Sequence, residues 1–270
     1  MKVVFFGSSR NVVPIIEMLN NTFDLALVIT TEQGSMEPVP FYCNAKKIKY
    51  LSIRKSADLI SNFEISSTMS NLGVVADFGL IIPEEVLKAF SLGVINVHPS
   101  LLPLYRGPSP VQNAILNGDK KTGVSIILLD KYVDHGPILM QEEEEIKDDD
   151  TAQSLYERLF KKGANLLQKT ISKYDGGNVA STEQKHEDAT FTQQLTRDDG
   201  FIDFKNLSKN KDFLNRIIRA YYPWPGVWTK INLNSKEDDL KIVKFIPGNK
   251  IKAEGGREMD YKDFLNGYPD

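Results

Sequence analysis

At 270 residues, 41% apolar and 26% charged, the chain is long enough for one large domain, or a large one and a small one, with an ample core. A single cysteine, Cys43, excludes an internal disulfide and a thiolate metal cluster and fits a reducing, cytoplasmic setting. The net charge is only −3, and no apolar run approaches the roughly 20 residues that a membrane helix needs, so no membrane association is expected.

Lys2–Gly7 is an apolar run that turns directly into Gly-Ser; it is too short for a signal-peptide core and reads as a first strand. Val12–Leu19 carries apolar residues at helical spacing. Asp24–Ile29 reads as a second strand and Gly73–Phe78 as a third, closed by Gly79. Leu92–Val97 is a fourth, Val111–Leu116 opens a helix after Pro110, and Val124–Leu129 is a fifth strand. Strands that are apolar throughout and separated by helices predict an α/β chain with a Rossmann-like, mostly parallel sheet and helices on both faces. Ligands of such sheets bind beyond the carboxyl ends of the strands.

Pro137–Ile146 alternates well enough for a further strand, ending in the acidic run Glu142–Glu145. Asp150-Thr151 caps a helix over residues 152–173, with Leu155, Leu159, Leu166 and Leu167 at helical intervals. Residues 1–178 thus read as one large α/β domain. The polar stretch 179–200 reads as a linker, and 201–270 as a small, reduced β-rich unit. That unit has a helix near 209–220, a rigid Pro223-Trp224-Pro225-Gly226 elbow with Trp224 expected to be buried, and strands at Thr229–Leu233 and Leu240–Phe245. Phe204–Lys252 holds 11 Lys and Arg against 4 Asp and Glu, a local excess suited to a polyanion.

The chemistry concentrates at the carboxyl ends of two predicted strands. A single glycine in Gly7-Ser8-Ser9-Arg10 rules out a dinucleotide fingerprint; Ser8 and Ser9 stay candidates for substrate contact beside a simple tight turn. Asn96 and His98 sit two apart, so in a strand their side chains share a face. An ordered loop of two prolines and Arg106-Gly107 follows, and a carboxylate, Asp134, comes later. Amide, imidazole and carboxylate together suit chemistry at a carbonyl, with donors for an oxyanion and a partner that orients the histidine. Alone, Asp134 would be an ordinary turn aspartate before glycine, and a lone strand-end histidine would be structural. His186 lies in the polar linker and reads as surface, while His135 is either a loop residue or a neighbour of the site. No His, Cys and carboxylate cluster has metal-ligand spacing, so no metal is expected.

Asn96-x-His98-x-Ser100-Leu101-Leu102-Pro103, continuing through Tyr105-Arg106-Gly107 to Asp134, resembles the signature of the folate-dependent formyltransferases, most nearly the members acting on methionyl-tRNA. The similarity runs on through Arg106–Asp119 and Thr122–Ile126. It resumes at Leu195–Gly200, Arg219–Gly226 and Asp263–Gly267. The resemblance implies transfer of a formyl group from 10-formyltetrahydrofolate to a primary amine, with Asn96, His98 and Asp134 as the catalytic set. It implies donor contacts at Phe78, Gly79, Leu80, Ile81, Ile82, Leu129 and Tyr132, and a wall made by Ser100, Leu101, Leu102 and Pro103. Acceptor contacts would fall on Ser8, Ser9, Arg106 and Gly107. The implied partner is initiator methionyl-tRNA, for translation initiation, acted on by a monomer. An amino sugar on a nucleotide is the alternative acceptor, favoured by the acidic Glu32–Pro40, where the tRNA enzymes carry a basic loop. A non-catalytic folate- or RNA-binding descendant is the reading from another class.

Overall fold

The computed structural model describes residues 1–32, 37–61, 71–174, 180–204, 211–232 and 240–267. Residues 33–36 of the acidic segment 32–40, the predicted domain boundary at 178, and residues 205–210 and 233–239 of the basic stretch lie outside the described residues. The chain forms two compact units. The first comprises Met1–Pro110, Lys121–Glu145 and Tyr156–Thr192; the second comprises Val111–Lys120, Ile146–Leu155 and Gln193–Asp270.

The strands of the first unit are Lys2–Phe6 (β1), Asp24–Thr31 (β2), Tyr50–Ile53 (β3), Leu72–Val75 (β4), Val94–His98 (β5), Lys121–Leu128 (β6) and Ile138–Glu145 (β7). They form one sheet in the order β3-β2-β1-β4-β5-β6-β7. The first five pair in parallel, as the apolar runs imply. β6 and β7 run antiparallel, so the predicted strand near Val124–Leu129 is not part of the parallel set. Four of the five residues of β1, Val3 to Phe6, are fully buried, which matches a strand covered on both sides. Phe6 meets Phe78 and Phe90 edge-on at 5.6 and 6.1 Å, and Leu27, Ile29, Val75, Ile82 and Val94 complete the core around them.

From β1 the chain moves outward to β2 and β3, then returns to β4 on the other side of β1. The carboxyl ends of β1 and β4 therefore form the topological switch point, where open α/β sheets place their ligands. The ladder extends past both strands there: Ala76 N–H donates to Phe6 O (2.9 Å) and Ser8 N–H to Asp77 O (3.1 Å).

The edge strand β7 ends in four glutamates whose alternation divides their work. Glu143 faces Lys121 across the ladder (2.8 Å), while Glu142 and Glu144 face the helix Ala152–Lys173. Lys162 reaches Glu142 at 2.8 Å and Glu144 at 3.0 Å, and Arg158 reaches Glu144 at 2.8 Å. Burial pushes the Glu144 carboxyl up, but the hydrogen bonds from Lys162 and Arg158 outweigh it and hold the group below its ordinary value. A carboxyl lowered in the folded state stabilises the fold above the ordinary glutamate range and loses that contribution as pH falls through its folded value. Glu144→Gln is therefore expected to cost about 1–2 kcal/mol near neutral pH. In thermal melts the gap from the parent protein should close as the pH is lowered below about 4.3; a gap independent of pH would contradict this.

In the second unit, Val227–Asn232 (β8), Leu240–Ile246 (β9), Lys250–Ala253 (β10) and Glu258–Asp260 (β11) form an antiparallel sheet ordered β11-β10-β9-β8. This is the small β-rich unit expected from the sequence. The helix Lys211–Ala220 buries Ile217 and Ala220, and its Arg219 donates to Asp150 O at 2.7 Å. The proline segment does form a tight elbow, closed by Gly226 N–H to Tyr221 O at 2.8 Å. Its buried ring, however, is Tyr221 (8% exposed), not Trp224 (56%). The turn places Trp224 at its outer apex, and Tyr221, on the last helical turn, takes the inner position.

Candidate active site

Asn96 and His98 are on β5, and its pleat turns both side chains to one face. Because β6 runs antiparallel, its end Leu128 lies beside Ile95 and Leu129 N–H donates to Val94 O (2.8 Å). The loop that follows returns along β5 and brings Asp134 onto the pair. Asn96 Nδ2 donates to Asp134 Oδ1 (3.1 Å), and His98 Nδ1 stands 3.5 Å from Oδ2. All three residues are at most 9% exposed. The other imidazole nitrogen, Nε2, lies 2.9 Å from the carbonyl oxygen of Tyr105. A carbonyl only accepts, so Nε2 carries a hydrogen and Nδ1 is the edge turned toward the carboxylate.

The backbone of Asp134 is left-handed, φ 48°, a region that aspartate tolerates better than most residues. Gly136 is required by space: a methyl group there would lie 1.8 Å from the carbonyl oxygen of Leu128. Gly136→Ala is expected to cost at least about 3 kcal/mol, because the clash is with backbone that cannot turn aside. A lowered urea midpoint checks this; an unchanged one would mean that the loop relaxes freely.

The segment Ser100–Gly107 is pinned from below. Ser125 Oγ donates to Ser100 O (2.6 Å) and accepts from Leu102 N–H (3.1 Å), while Gln141 Nε2 donates to Leu102 O (3.0 Å). Ser100 Oγ donates to Leu104 O (2.6 Å). Arg106 is buried (3% exposed), and both its Nε (3.1 Å) and its Nη2 (2.7 Å) donate to Gln184 Oε1. Burial pulls its guanidinium below arginine's ordinary value, opposed by the charges on Asp134 and Asp130. The next residue, Gly107, donates its N–H to Asp134 Oδ2 (2.8 Å). Gly107 is at φ 108°, and a methyl there would sit 2.7 Å from Thr192 O.

Gln184 closes the site from behind: its Nε2 donates to Asp134 O (2.9 Å) and Gly136 O (2.7 Å). Residues 182–192, polar and without periodicity, are thereby held along the site. Arg106 N–H donates to Thr190 O (2.9 Å) and Thr192 N–H to Arg106 O (2.7 Å). His186, which read as bare surface, accepts from Arg106 Nη2 through Nδ1 (2.9 Å) and stacks on His135 at 4.0 Å. Nothing in the sequence singles out Gln184, Gln141, the Tyr105 carbonyl or His186, because each acts through a long-range hydrogen bond rather than a local pattern.

Asn96, His98, Arg106, Gly107 and Asp134 thus meet, and Ser100–Pro103 form the adjoining wall. Phe78 and Ile82 are core residues, whereas Gly79 and Ile81 are exposed and Leu80 and Leu129 pack half-buried on the same cluster. Tyr132 is 57% exposed. Ser8 is 3% exposed; its hydroxyl donates to Phe78 O (3.1 Å) and accepts from Thr31 N–H (3.1 Å), knitting β1, β2 and β4 together. Ser9 caps the following turn by accepting from Asn11 N–H (3.2 Å) and also bonds the Asp77 carboxyl. Asp77 is open to solvent yet densely surrounded, and burial pushes its carboxyl up against that Ser9 bond. Among the described residues, no group of three or more His, Cys, Asp or Glu could hold a metal ion, and no helix is long and apolar enough to cross a membrane.

The formyl transferase family profile matches residues 1–171, and that of the formyl transferase C-terminal domain matches residues 194–254. The chain is similar to the methionyl-tRNA formyltransferase of Caldanaerobacter subterraneus subsp. tengcongensis, 35% identical over 311 aligned positions that cover 99% of this chain and 97% of the relative. A methionyl-tRNA formyltransferase of Roseiflexus sp. is 46% identical over 166 positions, covering 62% of this chain and 50% of the relative, so that match spans about half of that protein. The crystal structure of a 4-N formyltransferase from Francisella tularensis shares the fold, with a TM-score of 0.70 over 91% of this chain and 97% of that one at 18% identity. By profile, and by sequence similarity along nearly its whole length, the chain belongs to the formyl transferase family.

Proposed function

We propose that the protein transfers a formyl group from 10-formyltetrahydrofolate to the amino group of methionyl-tRNA, as a cytoplasmic monomer serving translation initiation. The observation that carries the chemistry is the convergence of the Asn96 amide, the His98 imidazole and the Asp134 carboxylate on one buried point. The acceptor rests on the relatives named methionyl-tRNA formyltransferase, matched over the full length of the chain.

The donor supplies the electrophilic formyl carbon. The residues that would hold it are Gly79, Leu80, Ile81, Leu129 and Tyr132, and they suit a flat heteroaromatic ring. Gly79, at φ 79°, has nothing within 4 Å of where a side chain would begin, so its backbone groups are open to a ligand. Leu80 and Leu129 supply apolar surface over one shared cluster.

Among the described residues, Asn96 Nδ2 makes one hydrogen bond, to Asp134, and its second N–H is left for the oxygen that gains charge as the amine adds to the carbon. The Nδ1 edge of His98, set by the Tyr105 bond behind it, lies beside the same carboxylate. Asp134, already accepting from Gly107 and Asn96, orients both groups and accepts the proton that the amine releases; as the adduct collapses, the bond between the formyl carbon and the donor nitrogen breaks, and that nitrogen leaves with a proton as tetrahydrofolate. These donors are fixed before substrate arrives, so no reorganisation is needed as charge develops.

The test offers purified protein labelled formyl donor with methionyl-tRNA in one arm and nucleotide-linked amino sugars in the other. Label on the tRNA alone supports the reading. Label on a sugar alone moves the acceptor to the sugar class, and label on neither ends the enzymatic reading.

A further inference from the structure

Two of the chain's three histidines, His135 and His186, have no place in the chemistry above; His135 pairs with Asp130 at 2.6 Å and His186 with Arg106. His135 and His186 stack face to face, with centroids 4.0 Å apart and planes within 3°. Tyr132 meets His135 edge-on at 5.1 Å, and Lys131 sits 5.1 Å above the Tyr132 ring. On the other side, His186 accepts from Arg106, whose guanidinium lies 5.9 Å from the Phe191 ring. The result is a run of flat groups: Tyr132, two imidazoles, a guanidinium and Phe191.

Its outer members are open to solvent. Phe191 is 71% exposed and Tyr132 57%, although each has a cation over one face of its ring. Phe191 is not on a loose tip. It bridges Arg106 as a strand would, and hydrogen bonds fix the backbone on either side of it, at Thr190 and Thr192. A rigidly presented, exposed aromatic ring loses little entropy on contact and is a ready anchor for a ligand. Arg106 is also one residue from Gly107, which bonds the Asp134 carboxylate, so the run ends at the reacting centre.

We propose that Phe191, with the stacked His135–His186 pair beside it, is a stacking platform for the unpaired bases at the acceptor end of an RNA substrate. This rests on the methionyl-tRNA reading and extends it to how the RNA end is held. Every base has a flat face, so such a platform grips single strands without reading sequence. The exposed Phe191 ring presents the free flat surface, while Arg106 and the stacked imidazoles back it. Glu187 and Asp188 follow His186 in the chain and repel a long phosphate backbone, which limits the platform to the last bases. Leu80 and Leu129 of the donor surface proposed above pack on the Phe6 and Phe78 cluster, of which Phe191 is not a member.

Phe191→Ala and Phe191→Trp in the full-length protein test this through the KM values for methionyl-tRNA and formyl donor, and through the anisotropy of a labelled single-stranded oligonucleotide. Thermal melts check that both variants fold, as the exposure of the ring implies. Phe191→Ala should raise the tRNA KM about tenfold and weaken oligonucleotide binding about tenfold. The donor KM should stay within twofold, and Phe191→Trp should restore both RNA readouts. An unchanged tRNA KM with unchanged oligonucleotide binding overturns the platform. So does a donor KM that rises in step, because the ring would then belong to the donor. Loss of oligonucleotide binding in Phe191→Ala, in a protein that formylates no aminoacyl-tRNA, would support the platform while the acceptor reading fell.

Discussion

Asn96→Ala is expected to lower kcat for formyl transfer about 10²–10³-fold, with both KM values nearly unchanged. The reason is geometric. The amide has two N–H groups; one is tied to Asp134 at 3.1 Å, and that tie aims the other at the space above β5. Charge on the formyl oxygen exists only while the amine is adding, so a donor placed for it favours the transition state over bound substrate and acts on kcat. Removal of the side chain also frees one oxygen of Asp134, but the carboxylate keeps the Gly107 N–H and its place beside His98. Single-turnover formyl transfer at saturating substrate is the cleanest measurement. A loss that appears mainly in KM would show that Asn96 binds ground-state substrate.

The second large effect is expected at Asp134→Asn, about 10²–10⁴-fold in kcat. In the native site the carboxylate accepts from Asn96 Nδ2 and from Gly107 N–H and stands 3.5 Å from Nδ1 of His98. An asparagine of the same shape turns an NH₂ group against at least one of these donors and has no charge to draw a proton from the amine. Shape is conserved, so a folded but silent enzyme is the expected outcome, read as a cooperative melt with a modestly lowered midpoint and a collapsed kcat. An active Asp134→Asn enzyme would remove the carboxylate from the mechanism and leave the oxyanion donors as the main source of catalysis.

The parallel half of the sheet was legible because its strands are buried on both sides and keep no polar alternation. Lys2–Phe6 and Val94–His98 are the clearest cases. The direction of β6 was not, since an apolar strand reads the same in either orientation. Asn96, His98 and Asp134 stood out by residue type and placement, two on one strand face and one before a glycine. Their supports did not. Ser8 sits where a substrate contact would, yet its hydroxyl joins three strands; Gln184 lies in a stretch that looks featureless and holds Asp134 and Arg106 together. Local patterns report periodicity and turns, and they are blind to hydrogen bonds between residues fifty or eighty positions apart.

The hold that Gln184 keeps on Asp134 also fixes a moment in the life of the molecule. A nascent chain that has just left the ribosome with its first 150 residues already carries every strand of the large sheet, and the amide and imidazole of β5 with them. Among what it lacks, with the helix Ala152–Lys173 and the second unit, is the stretch 182–192 that clamps the turn behind the carboxylate and frames Arg106. The turn at Asp134 therefore gains its backing late in synthesis, from a segment with no helix or strand signature of its own.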